Sequence, residues 1–516
     1  MAPTTSLTVI HQRSFLPRQL AVRRGNFFTF VAAIFFSCAS TIAQDYPQWG
    51  GTSSRNMVIS AKGIATDWDV ESRKNILWST KLGSQNYGNP VVAGGKIFVG
   101  TNNSAGLRPD KHPAAEDRGC VVALDEKTGK FLWQFTREKL DRAEDWPEMG
   151  ICSTACIVDK LLYVVTNRCE VACLDVEGFL DGENDGPYNV ETDTTKSDAD
   201  IIWLLDMRKD LKVYPHNMAT CSPTVHGDYL FVVTSNGIDD AHEKVASPDA
   251  PSFLCLDRKT GKVIWQDATP GAEILHGQWS SPSVGQVDGK TLVFFPGGDG
   301  WVYAFDVAAS VAEGKGKLVW KFDLNPKDAK RGEPGRTDRS EIIGTPVFVE
   351  GSVIAATGQD PEFGEGVGHI YRIDASTKGD ITESGKVWHL GGASGQGRQK
   401  KYTFRRTIST VAVHNGLVFA ADLSGYLHCI DFKTGQRYWE HDMLAAVWGS
   451  PMVIDNKVYL GDEDGDVVIF DCNKELKILS EQSLGAPIYS TPIVANGVLY
   501  FAARSEIFAI ASQPKK

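Results

Sequence analysis

One phrase recurs along this chain with its fixed residues at fixed spacing: Asp125-x-x-Thr128-Gly129-x-x-x-Trp133, Asp257-x-x-Thr260-Gly261-x-x-x-Trp265 and Asp431-x-x-Thr434-Gly435-x-x-x-Trp439. Looser copies end at Trp78, Trp203, Trp320 and Trp388. An apolar, β-type run precedes each Asp. Asp-x-x-Thr-Gly is turn chemistry: the carboxylate accepts from nearby backbone N–H groups and Gly takes the φ > 0 position. The following strand then delivers a large aromatic at a constant offset. Strand, turn, strand and one Trp per unit predict sheets that bury themselves against copies of one another.

The repeat continues as eight units. Their inner strands open at Asn89-Pro90, Ser153-Thr154, Ser222-Pro223, Ser281-Pro282, Thr345-Pro346, Thr410-Val411, Ser450-Pro451 and Thr491-Pro492. Third strands end at Asp125, Asp175, Asp257, Asp306, Asp374, Asp431 and Asp471. The last unit lacks a fourth strand, and Asn75 to Thr80 has the character of a fourth strand with no third before it. The two ends therefore complete one blade, which closes a ring and removes sheet edges. The fold expected is all-β: an eight-bladed β-propeller of four-stranded antiparallel blades over 46–511, with a short tail at 512–516. An open β-solenoid is the alternative, and the split blade argues against it. The amphipathic helices that a parallel α/β sheet requires are missing from the pattern.

Residues 1–43 read as an export signal. Arg23 and Arg24 precede an apolar run from Phe27 to Ser37, and Thr41-Ile42-Ala43 offers small residues for cleavage. That run is short for a membrane span, and no other stretch is long and apolar enough. The expected location is periplasmic or secreted, with twin-arginine export or a lipid anchor at Cys38 as lesser readings. Net charge is −11 with no dense basic stripe, which argues against nucleic acid as a partner. Nothing in the pattern calls for more than a monomer.

The repeats resemble those of the quinoprotein alcohol dehydrogenase-like superfamily, with its PQQ-like repeats, eight-bladed propeller and docking Trp residues. The opening Tyr46-Pro47-Gln48-Trp49-Gly50-Gly51 is similar to the start of its secreted members. The superfamily includes quinone-dependent dehydrogenases and a non-catalytic lipoprotein scaffold of outer-membrane β-barrel assembly. The resemblance thus implies a fold more firmly than a function. In the alcohol dehydrogenases, an aromatic floor, an adjacent-Cys disulfide, a calcium held by Glu, Asn and Asp, and an Asp base serve the quinone. This chain has no adjacent Cys pair. No base or calcium site carries over by motif, so PQQ and calcium belong only to the dehydrogenase alternative.

Propeller topology puts the loops between second and third strands on the same face as the links between blades. The long insertions at 101–118, 237–251 and 358–368, and the long links at 136–149, 323–341 and 389–406, all fall there. Irregular loops on a rigid scaffold are where binding concentrates. Around the channel mouth the expected ring is Tyr87, Trp279, Trp448 and Tyr489, with Ile151, Thr220, Ile343 and Ile408 at equivalent points. His216, Asn217, His276, Gln278, Glu341, Arg405 and Arg406 lie near in sequence. Together they are candidates for a ligand mouth; packing between inner strands is the bland alternative. In a quinoprotein, Trp279 or Trp448 would be the floor, and Arg405 or Arg406 would meet carboxylates. The basic run Arg398, Lys400, Lys401, Arg405, Arg406 is a further contact candidate.

The insertion at 176–200 falls on the other face. It holds eight acids and one Lys, and no ligand spacing there supports calcium. Asp462-Glu463-Asp464-Gly465-Asp466 is better explained as an Asp-Gly hairpin turn than as a metal loop. No metal ligand is assigned anywhere. Cys173, Cys255 and Cys429 sit two residues before strand-ending Asp residues and are expected in the core. Cys152 and Cys221 fall on neighbouring inner strands, so an inter-blade disulfide is the sharper expectation and small-residue packing the favoured one. The functional reading is a binding or scaffold module that meets a protein or an extracellular polymer on its loop-rich face. The alternative is a PQQ-dependent dehydrogenase of alcohols or sugars.

Overall fold

In the computed structural model, residues 44–332, 337–364, 366–395 and 399–512 are described. The export-signal expectation, Cys38 included, falls outside them, as do Arg398 and the last four residues. Among the described residues no helix is long and apolar enough to cross a membrane.

The turn phrase folds as its chemistry dictates. Asp125 Oδ1 accepts from the Thr128 N–H at 2.9 Å and from the Thr128 hydroxyl at 2.6 Å, and the pairs Asp257/Thr260 and Asp431/Thr434 repeat this. The result is eight four-stranded antiparallel blades. We number them from the inner strands: Val91–Ala93 (blade 1), Cys156–Val158 (2), Thr224–His226 (3), Ser283–Val287 (4), Val347–Val349 (5), Ala412–His414 (6), Met452–Ile454 (7) and Ile493–Ala495 (8). The fourth strand of blade 8 is Ile76–Lys81, antiparallel to Glu506–Ile510, so the two ends of the described chain share a blade.

Two repeating devices join the blades. The first is Trp docking. The Trp133 indole of blade 1 donates to Val176 O, Trp203 of blade 2 to Arg258 O, Trp320 to Ala375 O, Trp388 to Phe432 O, and Trp78 of blade 8 to Glu126 O. Each acceptor follows the third-strand Asp of the next blade. The turn Gly is the surface on which the indole lies: a Cβ on Gly261 would sit 2.5 Å from the Trp203 ring, and one on Gly129 2.4 Å from Trp78. That Gly therefore meets two demands, a φ near +69° and an open face for its neighbour's Trp. Trp439 of blade 6 donates one residue further on, to Asn473 O, and Trp265 is the docking Trp left without an acceptor. Helix Val307–Glu313 replaces the turn phrase of blade 4, and the buried Trp265 N–H has no partner.

The second device is a belt around the channel. Thr491 N–H donates to Asn89 Oδ1, the Asn89 amide to the Thr154 hydroxyl, Thr154 N–H to Ser222 Oγ, and Ser222 N–H to Ser281 Oγ. Thr345, Thr410 and Ser450 pass the same bond on to Thr410, Ser450 and Thr491. The Ser/Thr at each inner-strand start is thus a bonding position, in which a hydroxyl takes up the N–H that its neighbour would leave unpaired.

The belt sets the register of the mouth. Thr154, not Ser153, is the blade 2 counterpart of Ser222, so Cys152 occupies the ring position expected for Ile151. Ile151 is fully buried instead. Cys221 then corresponds to Ser153, one residue out of step with Cys152. Successive residues of an extended chain face opposite ways, and the thiols do so here. Cys221 Sγ accepts from Val233 N–H within its own blade, while Cys152 faces the mouth. Both are free thiols in this structure, facing opposite ways. Cys173, Cys255 and Cys429 are in the core.

The channel is filled by the chain itself. From Tyr46 to Ile59 the N-terminal segment runs past the inner strands in order. It bonds Val92 of blade 1, Ile157 of blade 2, Val284 of blade 4, Phe348 of blade 5, Val413 of blade 6 and Val453 of blade 7. Val58–Ile59 adds to the blade 7 inner strand in parallel. Blade 3 is reached by Arg55, whose guanidinium donates to Ser222 O and Pro223 O, and also to Trp49 O and Pro282 O.

Candidate functional site

Above this plug, on the face of the inner-strand starts, lies a cup of about 460 Å³. Its wall is the ring that the belt defines: Tyr87, Cys152, Thr220, Trp279, Ile343, Ile408, Trp448 and Tyr489. Trp49 of the plug is its floor. Trp146, Met149 and Met218 come from the links between blades, and Asp360 to Glu362 from the 358–368 insertion. All four predicted aromatics, Tyr87, Trp279, Trp448 and Tyr489, are therefore brought together. Tyr87 and Tyr489 stack with centroids 4.8 Å apart, and Trp448 meets Tyr489 edge-on at 5.3 Å. Among the described residues, the ionisable groups of the lining apart from thiol and phenols are the carboxylates of Asp360 and Glu362.

Of the predicted polar residues, Asn217 lines the cup, and His216, His276, Gln278, Glu341, Arg405 and Arg406 lie elsewhere. Arg405 stacks on Tyr426, 4.0 Å from the ring centroid, and faces Asp422 at 3.7 Å. Arg406 packs over Gly366, where any Cβ would collide with its guanidinium. Neither lines the cup. Glu341 is buried with Oε2 unpartnered, and burial pushes its carboxyl up to about 8 despite Arg406 nearby. The sign of the resulting pH dependence follows. An acid whose folded value lies above its unfolded one favours folding while both states are protonated, and loses that contribution as pH rises from about 4.5 to about 8. Glu341→Gln is expected to flatten the fall in urea midpoint between pH 5 and pH 8, gaining a few kcal/mol at the upper end. An unchanged pH profile would remove Glu341 as its source.

His216 and His276 stand behind Trp279, outside the cup. Trp279 donates its indole N–H to His216 O at 3.0 Å. His216 Nδ1 lies 3.0 Å from Ile238 O, and burial lowers both imidazoles, to about 4 for His216 and about 2 for His276. Sequence reasoning passed over His242, in the 237–251 insertion, which joins them. A second group, Asp175, Asp181 and Asp185, gathers at the 176–200 insertion on the other face.

A family model described as "Outer membrane protein assembly factor BamB", built on PQQ-type repeats, matches residues 48–198, 117–379 and 298–479. The chain belongs to that family. It is also similar to a polyvinylalcohol dehydrogenase of Sphingopyxis sp. (strain 113P3), 28% identical over 286 residues, which covers 50% of this chain and 40% of that protein. The match thus spans less than half of that relative's length. Among solved structures, a europium-containing methanol dehydrogenase aligns with a TM-score of 0.59 at 14% identity, covering 91% of this chain and 98% of its own. BamB from Moraxella catarrhalis aligns with a TM-score of 0.51 at 15% identity, covering 86% and 99%. At these identities the structures establish the shared fold. Both branches of the resemblance, the assembly factor and the dehydrogenases, are therefore represented.

The cup's donor set does not fit an anionic quinone. Among the described residues its lining carries two carboxylates and no Arg or Lys, and Arg405 and Arg406, either of which was expected to meet the quinone's carboxylates, are turned into the blade 5 and blade 6 loops.

Proposed function

We propose that this family member is an exported binding module whose cup takes an apolar, aromatic-bearing segment of another exported protein. The observation that carries this is the composition of the cup: aromatics and aliphatics around a closed floor, with Asp360 and Glu362 as its charges. Such a site is sized for one or two side chains or a small ligand. Its carboxylates favour Lys or Arg beside the anchoring residue. The description of the family as an assembly factor supports a protein as the partner. The export-signal pattern of residues 1–43 supports the compartment.

The test is a fluorescence titration with short peptides that carry a central Trp or Phe flanked either by Lys or by Glu. Saturable binding of the Lys-flanked set, weakened by salt, is expected. Equal failure of both sets overturns the reading. A quinone-dependent dehydrogenase is the second reading, favoured by the activity named for the polyvinylalcohol relative. Calorimetric titration with pyrroloquinoline quinone, with and without calcium, separates the two. No saturable heat is expected. Micromolar or tighter binding that is lost in Trp279→Ala would replace the module with a redox enzyme.

A further inference from the structure

We propose that His216, His242 and His276 form a binding site for a divalent transition ion of the zinc class, on the outer side of the Trp279 wall. The three come from separate loops of the loop-rich face: the link between blades 2 and 3, the 237–251 insertion, and the link between blades 3 and 4. One ring nitrogen from each lies within 4.8 Å of the others. Gly237 makes the approach feasible, since a Cβ there would stand 2.6 Å from His216 Cβ and 2.8 Å from His276 O. The Ile238 N–H donates to His276 O, so the backbone ties the second and third loops together.

The hydrogen bonding points to a missing partner. A carbonyl only accepts, so His216 must donate its Nδ1–H to Ile238 O. Its Nε2 is left as a bare lone pair, buried and without a partner. Fixing one ring nitrogen on a carbonyl so that the other is free for a metal is the usual arrangement of a ligating imidazole. His276 is 1% exposed with neither ring nitrogen bonded. A buried imidazole with two idle polar atoms is costly as mere packing. The three rings meet at 54° to 72°, with centroids 4.5 to 5.1 Å apart.

Three imidazoles suit zinc, copper or nickel rather than calcium or magnesium, which need oxygen. Tetrahedral Zn–N bonds of about 2.0–2.1 Å would bring the nitrogens to about 3.3–3.4 Å apart, roughly 1.4 Å inside their present limit of 4.8 Å. His242 is exposed and gives the ion a route in from solvent. Asp239 and Asp240 lie near enough to act electrostatically on His216, and His242 near enough to act on Asp360; all three carboxylates complement a dication. Phe363 and Trp279 flank His276 with centroids 5.2 and 5.1 Å away, so the ion would clamp loops that continue into the cup wall. The site stands whatever the cup binds.

The test is calorimetric titration of the purified, reduced full chain with ZnCl2, and absorption spectroscopy with CoCl2. One equivalent at micromolar or tighter affinity is expected, with a zinc-dependent rise in Tm. The cobalt spectrum should show d–d bands and no thiolate charge transfer. His242→Ala removes an exposed ligand, and His276→Phe keeps the aromatic packing. Each is expected to lower the affinity by at least about tenfold, which is the cost of losing even an outer partner. No zinc binding, binding unchanged in both variants, or thiolate bands in the cobalt spectrum would each overturn the site.

Discussion

Replacing Arg55 by alanine is expected to lower the unfolding free energy by about 3–5 kcal/mol, read as a fall in the urea midpoint. The side chain is 0% exposed. It donates to Trp49 O at 2.7 Å, Ser222 O and Pro223 O at 2.9 Å and Pro282 O at 3.2 Å, with the Thr224 hydroxyl also in contact. These partners are neutral oxygens, and burial pushes the guanidinium below its ordinary value. The charge is tolerated because the fork is saturated by carbonyls from two blades and from its own segment. Alanine leaves those carbonyls without donors in a space closed to water, at about 1–3 kcal/mol for each that stays unpaired. Arg55→Lys is expected to recover only part of the loss, because one ammonium cannot span acceptors that a planar fork reaches together. A loss below about 1 kcal/mol for alanine would mean that the plug does not brace blades 3 and 4.

Trp448→Ala is the second large effect, and it concerns binding rather than stability. Trp448 closes one side of the cup, 5.8 Å from Tyr87 and 5.3 Å from Tyr489 by ring centroids, and its indole N–H reaches Glu463 at 3.3 Å. Removing it opens the enclosure that keeps water from an inserted aromatic. Central aromatic anchors of this kind carry about 2 kcal/mol or more, so the Lys-flanked peptides should lose roughly thirtyfold in affinity. The far-ultraviolet circular dichroism should not change, because Trp448 is not one of the docking tryptophans. Binding that survives the substitution would place the peptide site outside the cup.

The sequence by itself determined the local units and their order. Asp125, Thr128 and Gly129 are bonded to each other within five residues, so their spacing states the turn whatever surrounds it. The same holds for the orphan strand expected at 75–80, which supplies the fourth strand that the last unit lacks. The aromatic mouth was legible for the same reason, because the repeat assigns Tyr87, Trp279, Trp448 and Tyr489 to one structural position. What only the tertiary structure decided were contacts between units. The turn Gly proved to be the bed for the preceding blade's Trp. The belt bond from Thr154 to Ser222 shifted the mouth residue of blade 2 from Ile151 to Cys152 and turned the two thiols apart. Arg405 and Arg406, near the mouth in sequence, point away from it, because Asp422 and the Tyr426 ring on the next blade hold Arg405 and Gly366 receives Arg406. Tyr46 to Ile59 carries no repeat signal; its conformation is dictated by seven inner strands that are distant in sequence. His216, His242 and His276 share no motif because each is on a different loop. Their convergence depends on how three loops pack, which no spacing along the chain records.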